Sequence, residues 1–178
     1  WSDAQIAEEH AFASELAAAE VPVVAPLPLV GGQCSGQTLG HAMVDGQPFR
    51  LAVYPRRAGH GPELEHADTL RWLGRFIARV HAVGEQRAFV ARRTLDAHTF
   101  GHAPLARLLA LDLIPPAEAG PWRQAAQQAL EQVDAAFAAV PARALRLHGD
   151  CHPGNILWRD EGDHGGPHIV DLDDAITG

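Results

Sequence analysis

Three oxygen-bearing side chains stand at a spacing that suits phosphoryl transfer. Asp150 and Asn155 lie within His148-Gly149-Asp150-Cys151-His152-Pro153-Gly154-Asn155, and Asp171 follows sixteen residues after Asn155 in His168-Ile169-Val170-Asp171-Leu172-Asp173-Asp174. Phosphoryl transfer asks a protein for an aligned nucleophile, clamped phosphates and neutralised charge rather than for covalent work. Asp150 follows a glycine in a loop leaving a strand, so its carboxylate can orient a substrate hydroxyl and accept its proton. Asn155 offers a neutral amide oxygen to a hard cation, and Asp171 offers a charged one. Magnesium takes few protein oxygens and completes its octahedron with water and phosphate. Singly, Asp150 and Asn155 are also ordinary turn formers; the three in this order carry the chemistry.

The same loop admits a second chemistry. His148, Asp150 and His152 form a His-x-Asp-x-His pattern that places three donors close together, as in a metal hydrolase. A zinc site would want further ligands near by, and Pro153-Gly154 follows at once. His148 is therefore expected to be a packed, hydrogen-bonded strand residue that braces the loop. His152 is expected to stabilise the loop or to sit near Asp171. Cys151 reads as a small buried filler, because no activating partner is evident. Asp173 and Asp174 read as solvated acids or as outer groups of the metal site.

The elements that must carry this loop follow from pattern. Ser2-Asp3-Ala4-Gln5 fits a capping box, and Ile6, Phe12 and Leu16 predict a helix ending near Val21-Pro22. Leu39–Val44 and Phe49–Tyr54 predict strands around an Asp45-Gly46 turn. Pro55–Pro62, with two prolines and two glycines, predicts a linker. A helix is expected over Glu63–Val83, with Leu70, Leu73, Ile77 and Val80 as its stripe and Gly84 as its stop. Arg87–Gly101 reads as irregular. A short helix is expected over Leu105–Leu113, ended by Pro115-Pro116. A longer one is expected over Pro121–Val140, with Trp122, Ala126, Leu130, Val133 and Phe137 along one face. Short β segments follow at Leu145–His148, Asn155–Trp158 and His168–Val170, with turns at Glu161-Gly162 and Gly165-Gly166.

Composition bounds the alternatives. The 178 residues are 47% hydrophobic, which excludes general disorder. Twenty-two acidic against fourteen basic residues give a net charge of −8, the wrong sign for a binder of nucleic acid or of an anionic membrane. No apolar run reaches the length needed to span a bilayer. Cys34 and Cys151 form no metal-type pair, and a reduced, cytoplasmic setting is expected. The chain opens on Trp1-Ser2-Asp3, without methionine or a basic leader, and ends soon after its acidic motif; both ends are expected to be cuts through a longer protein.

The strings Leu145-Arg146-Leu147-His148-Gly149-Asp150-Cys151-His152, Gly154-Asn155-Ile156-Leu157-Trp158-Arg159-Asp160 and Val170-Asp171-Leu172-Asp173-Asp174-Ala175 resemble the aminoglycoside phosphotransferase and choline kinase-like branch of the protein kinase fold. Within it they are most similar to bacterial stress-response Ser/Thr kinases. Glu8-Glu9-His10 before Glu20-Val21-Pro22-Val23, and Leu73-Gly74-Arg75 through His81, extend the resemblance over nearly the whole chain.

The resemblance implies an α+β, two-lobe kinase-like fold, here partial. Residues 1–54 would be the remainder of the N-lobe, and residues 55–178 a partial, mainly helical C-lobe with small β-hairpins. It implies a monomeric ATP- and Mg2+-dependent enzyme, with Asp150 as base and Asn155 and Asp171 as magnesium ligands. Glu9 would pair with the nucleotide-binding lysine. Ala52, Val53 and Tyr54 would form the hinge beside the adenine. The acceptor would be a protein serine or threonine or, alternatively, a small hydroxyl-bearing metabolite. A glycine-rich loop and a strand lysine, which the family places upstream, are not among these residues. Leu172-Asp173 replaces the usual Phe-Gly after the metal aspartate, which argues against switching by a phenylalanine flip.

Overall fold

A computed structural model describes residues 1–32, 34–140, 143–159 and 166–178. Contacts divide the chain into two compact units. One joins Trp1–Arg92 to Leu145–Ile176, and the other joins Arg93–Ala144 to Thr177–Gly178.

The first unit opens with helix α1, Asp3–Ala18. Its start is the expected capping box: Ser2 Oγ accepts from the Gln5 amide, and Gln5 Oε1 accepts from the Ser2 amide at 2.8 Å. Two of the orphan donors of the first turn are thereby satisfied. Glu9, His10, Phe12, Ala13 and Leu16 form its buried face. Phe12 and Leu16 are fully enclosed, each stabilising the fold by roughly 1.5–3 kcal/mol through burial.

Strands β1, Gly40–Val44, and β2, Gln47–Leu51, pair antiparallel with Val44 opposite Gln47. Asp45 and Gly46 both take positive φ, 49° and 76°, as a two-residue hairpin turn of matching twist requires. The second strand begins earlier than its apolar residues suggest, because the turn sets the pairing. Of residues 55–62, only His60 joins a ladder; its amide and carbonyl pair with Trp158.

Helix α2 runs over Ala67–Gly84 and buries Leu73, Phe76, Val80, Val83 and Gly84. Leu73 and Val80 are buried and Ile77 packs against the core, as the expected stripe has them; Leu70 departs from it. Leu70 is 51% exposed, and Phe76 takes the central place because the larger ring fills the space beside Val80. Gly84 is not a stop: it is the last helical residue, and a Cβ there would run into the Arg146 carbonyl. The core gathers Phe12, Ala13, Leu16 and Val21 with Phe76, Val80, Val83, Ile169, Leu172 and Ala175.

Strand β3, Arg146–Leu147, sends a cation into this core. The Arg146 guanidinium is 1% exposed, bonds Glu15 Oε2 at 2.8 Å and the Val83 carbonyl at 3.0 Å, and stacks 4.5 Å from the Phe12 ring centre. Partners on each side make its burial tolerable.

Strands β4, Ile156–Arg159, and β5, Gly166–Ile169, form an antiparallel pair with Ile156 opposite Ile169. The turn expected around Glu161-Gly162 and Gly165 lies outside the described residues, as does Asp160. The short strand β6, Ile176–Thr177, closes the described sequence of elements.

In the second unit a π-helical turn, His98–His102, leads directly into helix α3, Ala103–Ala110. Helix α4, Pro116–Ala139, starts five residues before its expected position. Pro116 supplies a preset φ at the first turn, and Pro121 is absorbed inside the helix. The expected apolar face of α4 is only partly covered: Trp122, Ala126 and Leu130 are half-buried, while Val133 and Phe137 are exposed.

Candidate active site

The loop after β3 is built around His148. Its ring is 4% exposed; Nε2 donates to the Val170 carbonyl at 2.8 Å, and Nδ1 accepts from the Asp150 amide at 3.3 Å. Both nitrogens are therefore committed, which agrees with the expected bracing role and leaves no lone pair for a metal. His152 accepts from the Gly154 amide at 3.0 Å, and its Nε2 lies 3.5 Å from Asp150 Oδ2. Cys151 is exposed as a residue, which corrects its reading as a buried filler, although its sulfur is partly withdrawn from water. Burial of the sulfur and the adjacent Asp150 charge push its thiol pKa up, opposite to what a nucleophile needs.

Gly149 makes the bend possible. Its φ is +87°, and a Cβ would collide with the Asp174 carbonyl oxygen. Asp150 follows with its side chain half exposed. Asn155 is buried and donates from Nδ2 to the Asp150 carbonyl at 3.0 Å, with the Asp150 carboxylate 3.4 Å away. Its amide hydrogens are thus directed at Asp150, and Oδ1 is the atom a cation would use.

Asn155 immediately precedes β4, and Asp171 stands two residues beyond β5. The Val170 amide bonds the Asn155 carbonyl at 3.0 Å, so the ladder brings both side chains to one end of the hairpin. Asp171 adopts a left-handed backbone, φ 65° and ψ 57°, ahead of a 3-10 turn at Leu172–Asp174. That conformation costs about 1–3 kcal/mol in a residue with a side chain and persists only where neighbours enforce it. Here the Val170 carbonyl is held by His148, and the turn closes with the Ala175 amide on the Leu172 carbonyl.

Glu9, Tyr54, Asp171 and Asp173 line a single cavity of about 350 Å³, with Val24, Val170 and Leu172. Glu9 is only 6% exposed, so it is not a solvent-facing helical acid. Burial pushes its carboxyl up to about 7; Arg92 opposes this, and the Asp173 and Asp171 charges add to it. The Asp173 carboxyl is raised by its hydrogen bond to Asp171, by burial and by the Asp171 charge. Tyr54 is pushed up to about 12 by burial and by the Glu9 and Asp173 charges. Its hydroxyl lies 3.1 Å from Nε2 of the buried His10, whose Nδ1 meets Thr38 Oγ1 at 2.8 Å.

Ala52 and Val53 do not line this cavity, and the Val53 carbonyl accepts the Leu27 amide at 2.7 Å. Asp150 and Asn155 form the hydrogen-bonded pair just described, outside its lining. Among the described residues no group of three or more His, Cys, Asp or Glu closes into a ready metal cage. The hard oxygens of Asn155 and Asp171 nevertheless suit an ion that keeps most of its ligands as water and phosphate.

Glu9 yields the first test. A carboxyl raised from 4.5 to about 7 on folding destabilises the charged form. The stability it contributes is full below pH 4.5 and is lost as pH rises through about 7, on the order of 3 kcal/mol. Glu9→Gln is therefore expected to gain melting temperature relative to the parent between pH 5 and pH 8. An equal difference at both pH values would mean that a cation pairs with Glu9 in the complete protein.

Sequence reasoning missed Arg92 and Glu8. Arg92 is 5% exposed, and Glu8 accepts the amides of Val90, Ala91 and Arg92 at 2.7–2.9 Å. The adjacent arginines at 92 and 93, inside a stretch read as irregular in an acidic chain, were the available signal.

Asp150 and the amide of Asn155 meet at the hairpin end that Asp171 also flanks, and the buried helical Glu9 lies across a cavity from Asp171. The chain belongs to the phosphotransferase enzyme family (APH), whose profile matches residues 1–178. It is 37% identical over all 178 residues to stress response kinase A of Escherichia coli strain K12 and 38% identical to serine/threonine protein kinase RdoA of Salmonella typhimurium strain LT2. It spans about half the length of these curated relatives, 50% in each. Among solved structures, amicoumacin kinase hAmiN superimposes with a TM-score of 0.70 at 18% identity over 99% of this chain and 50% of its own. A microcompartment-associated aminopropanol kinase gives 0.68 at 19% identity, over all of this chain and 56% of its own. These two likenesses define the kinase-like fold, of which the present residues are a part.

Proposed function

We propose that the complete protein transfers the γ-phosphoryl group of ATP to a serine or threonine hydroxyl of a protein, with magnesium as the metal. The observation that carries this reading is the register of β4 and β5, which sets Asn155 and Asp171 at the same hairpin end, with Asn155 bonded to Asp150. Identity of 37–38% to proteins named stress response kinase and serine/threonine kinase favours a protein acceptor. The small-molecule kinases match only at 18–19%. The hAmiN structure was solved with AMP-PNP and Ca2+, which supports a nucleotide with a divalent cation.

In this reading Asp150 orients the acceptor hydroxyl and takes its proton as the new bond to phosphorus forms. His148 and Asn155 hold the loop that aims it. Asn155 Oδ1 and the Asp171 carboxylate would hold magnesium, which neutralises triphosphate charge. Glu9 waits in its cavity for a cation; none of the chain's basic residues is a lysine, since all fourteen are arginines. Residues 1–54 belong to the N-lobe, and Ala52–Tyr54 form the hinge before residues 55–178. A cytoplasmic monomer fits the reading. Among the described residues no helix is long and apolar enough to cross a membrane.

The test is Asp171→Asn in the full-length protein. It should raise the Mg2+ concentration for half-maximal nucleotide binding at least about tenfold, since even outer partners of a metal site are worth that much. An unchanged titration removes Asp171 from the metal site.

A further inference from the structure

The Arg92 side chain is almost wholly enclosed, and its donors go to backbone on two separate elements. Nε donates to the Ala175 carbonyl at 2.5 Å, Nη2 to the Asp173 carbonyl, and Nη1 to the Gln5 carbonyl at 3.0 Å. The first two acceptors belong to the turn that follows Asp171; the third belongs to the first turns of α1. The backbone carrying Arg92 is held by the same helix, because Glu8 accepts three consecutive amides from residues 90–92. The Trp1 ring lies 4.3 Å from the guanidinium carbon.

We propose that Arg92 is a positioning residue that locks α1 and the Asp171–Ala175 turn into one body, and so fixes Glu9 and Asp171 across the shared cavity for metal–nucleotide binding. The proposal rests on the phosphotransferase reading of that cavity. Three carbonyls around one planar cation define a distance and an angle between helix and turn, which apolar packing alone would leave free to slide. The forked guanidinium suits this, because its donors sit on separate nitrogens in a fixed plane, whereas an ammonium concentrates all three donors on one nitrogen. The same bonds hold the carbonyls just beyond Asp171, where the left-handed backbone has to be enforced. Arg92 also places positive charge near Glu9, Asp173 and Asp174, so that these acids can share a small space before a metal arrives.

The test uses the full-length protein with Arg92→Lys, Arg92→Gln and Glu8→Gln, reading melting temperature, kcat and the Mg2+ concentration for half-maximal activity at saturating ATP. Folded variants should need at least about tenfold more Mg2+, with kcat at saturating metal within about threefold of the parent. Arg92→Lys should not restore the parent value. A clamp serving stability alone would lower the melting temperature and leave the Mg2+ requirement unchanged, and that result in any folded variant overturns the proposal. If Arg92→Gln does not fold, Arg92→Lys and Glu8→Gln decide. If the parent protein shows no Mg2+-dependent nucleotide binding, the phosphotransferase reading fails first and takes this proposal with it.

Discussion

Asp150→Asn is expected to lower the kcat of the full-length protein by about a hundred- to ten-thousandfold, the range supplied by a positioned general base, with the melting temperature almost unchanged. The asparagine keeps the shape and hydrogen-bonding reach of the aspartate but cannot take a proton. The stability forecast follows from the environment. The Asp150 side chain is half exposed, and its nearest partners are Asn155 Nδ2 at 3.4 Å and His152 Nε2 at 3.5 Å, neither of them short. The loop is held instead by Asp150 backbone atoms, through the His148 ring and the Asn155 amide, and these survive the change. Exposed substitutions of this kind stay within about 0.5 kcal/mol. Rates measured at saturating ATP and Mg2+, beside a thermal melt, separate the two effects. Near-parental turnover would remove Asp150 from the role of base.

Gly149→Ala should do the reverse, damaging stability and activity together. A residue with a Cβ at φ +87° is strained by roughly 1 kcal/mol or more. The new methyl would also meet the Asp174 carbonyl, which is backbone and cannot rotate away. Relief requires the loop bearing Asp150 to separate from the turn bearing Asp171, and overpacking of this kind adds about 1–3 kcal/mol. The combined loss, roughly 2–4 kcal/mol, should appear in chemical denaturation. Phosphoryl transfer should fall even under conditions where the variant remains folded. A Gly149→Ala protein with parental stability and turnover would show that loop and turn are not in contact.

Local chemistry was the part of the fold most legible in the sequence. The capping box at Ser2-Gln5 and the Asp45-Gly46 turn are short-range devices whose residues interact with their own neighbours, and both form as expected. The bracing role of His148 was legible for the same reason. Helical periodicity gives the phase of the α2 stripe, since Leu73, Ile77 and Val80 pack as expected, but not how far it extends: Leu70 is exposed, while Phe76 and Val83 are buried. Helix α4 starts five residues before the expected Pro121, because Pro116 fills the first turn and Pro121 is absorbed within the helix. Arg146 and Arg92 were invisible as interior residues. A buried guanidinium depends on acceptors distant in sequence, here Glu15 and Val83 for one and Gln5, Asp173 and Ala175 for the other.

The β4–β5 pair has two unlike ends. Asn155 and Asp171 flank one, and Arg159 opposite Gly166 closes the described ladder at the other, four residue pairs away. Extra residues joined between Arg159 and Gly166 would lengthen the remote end without shifting the register that aligns Asn155 with Asp171. Divergence, or a deliberately grafted reporter peptide, can therefore accumulate there at little cost to chemistry. A single-residue insertion within either strand would face Asn155 and Asp171 in incompatible directions.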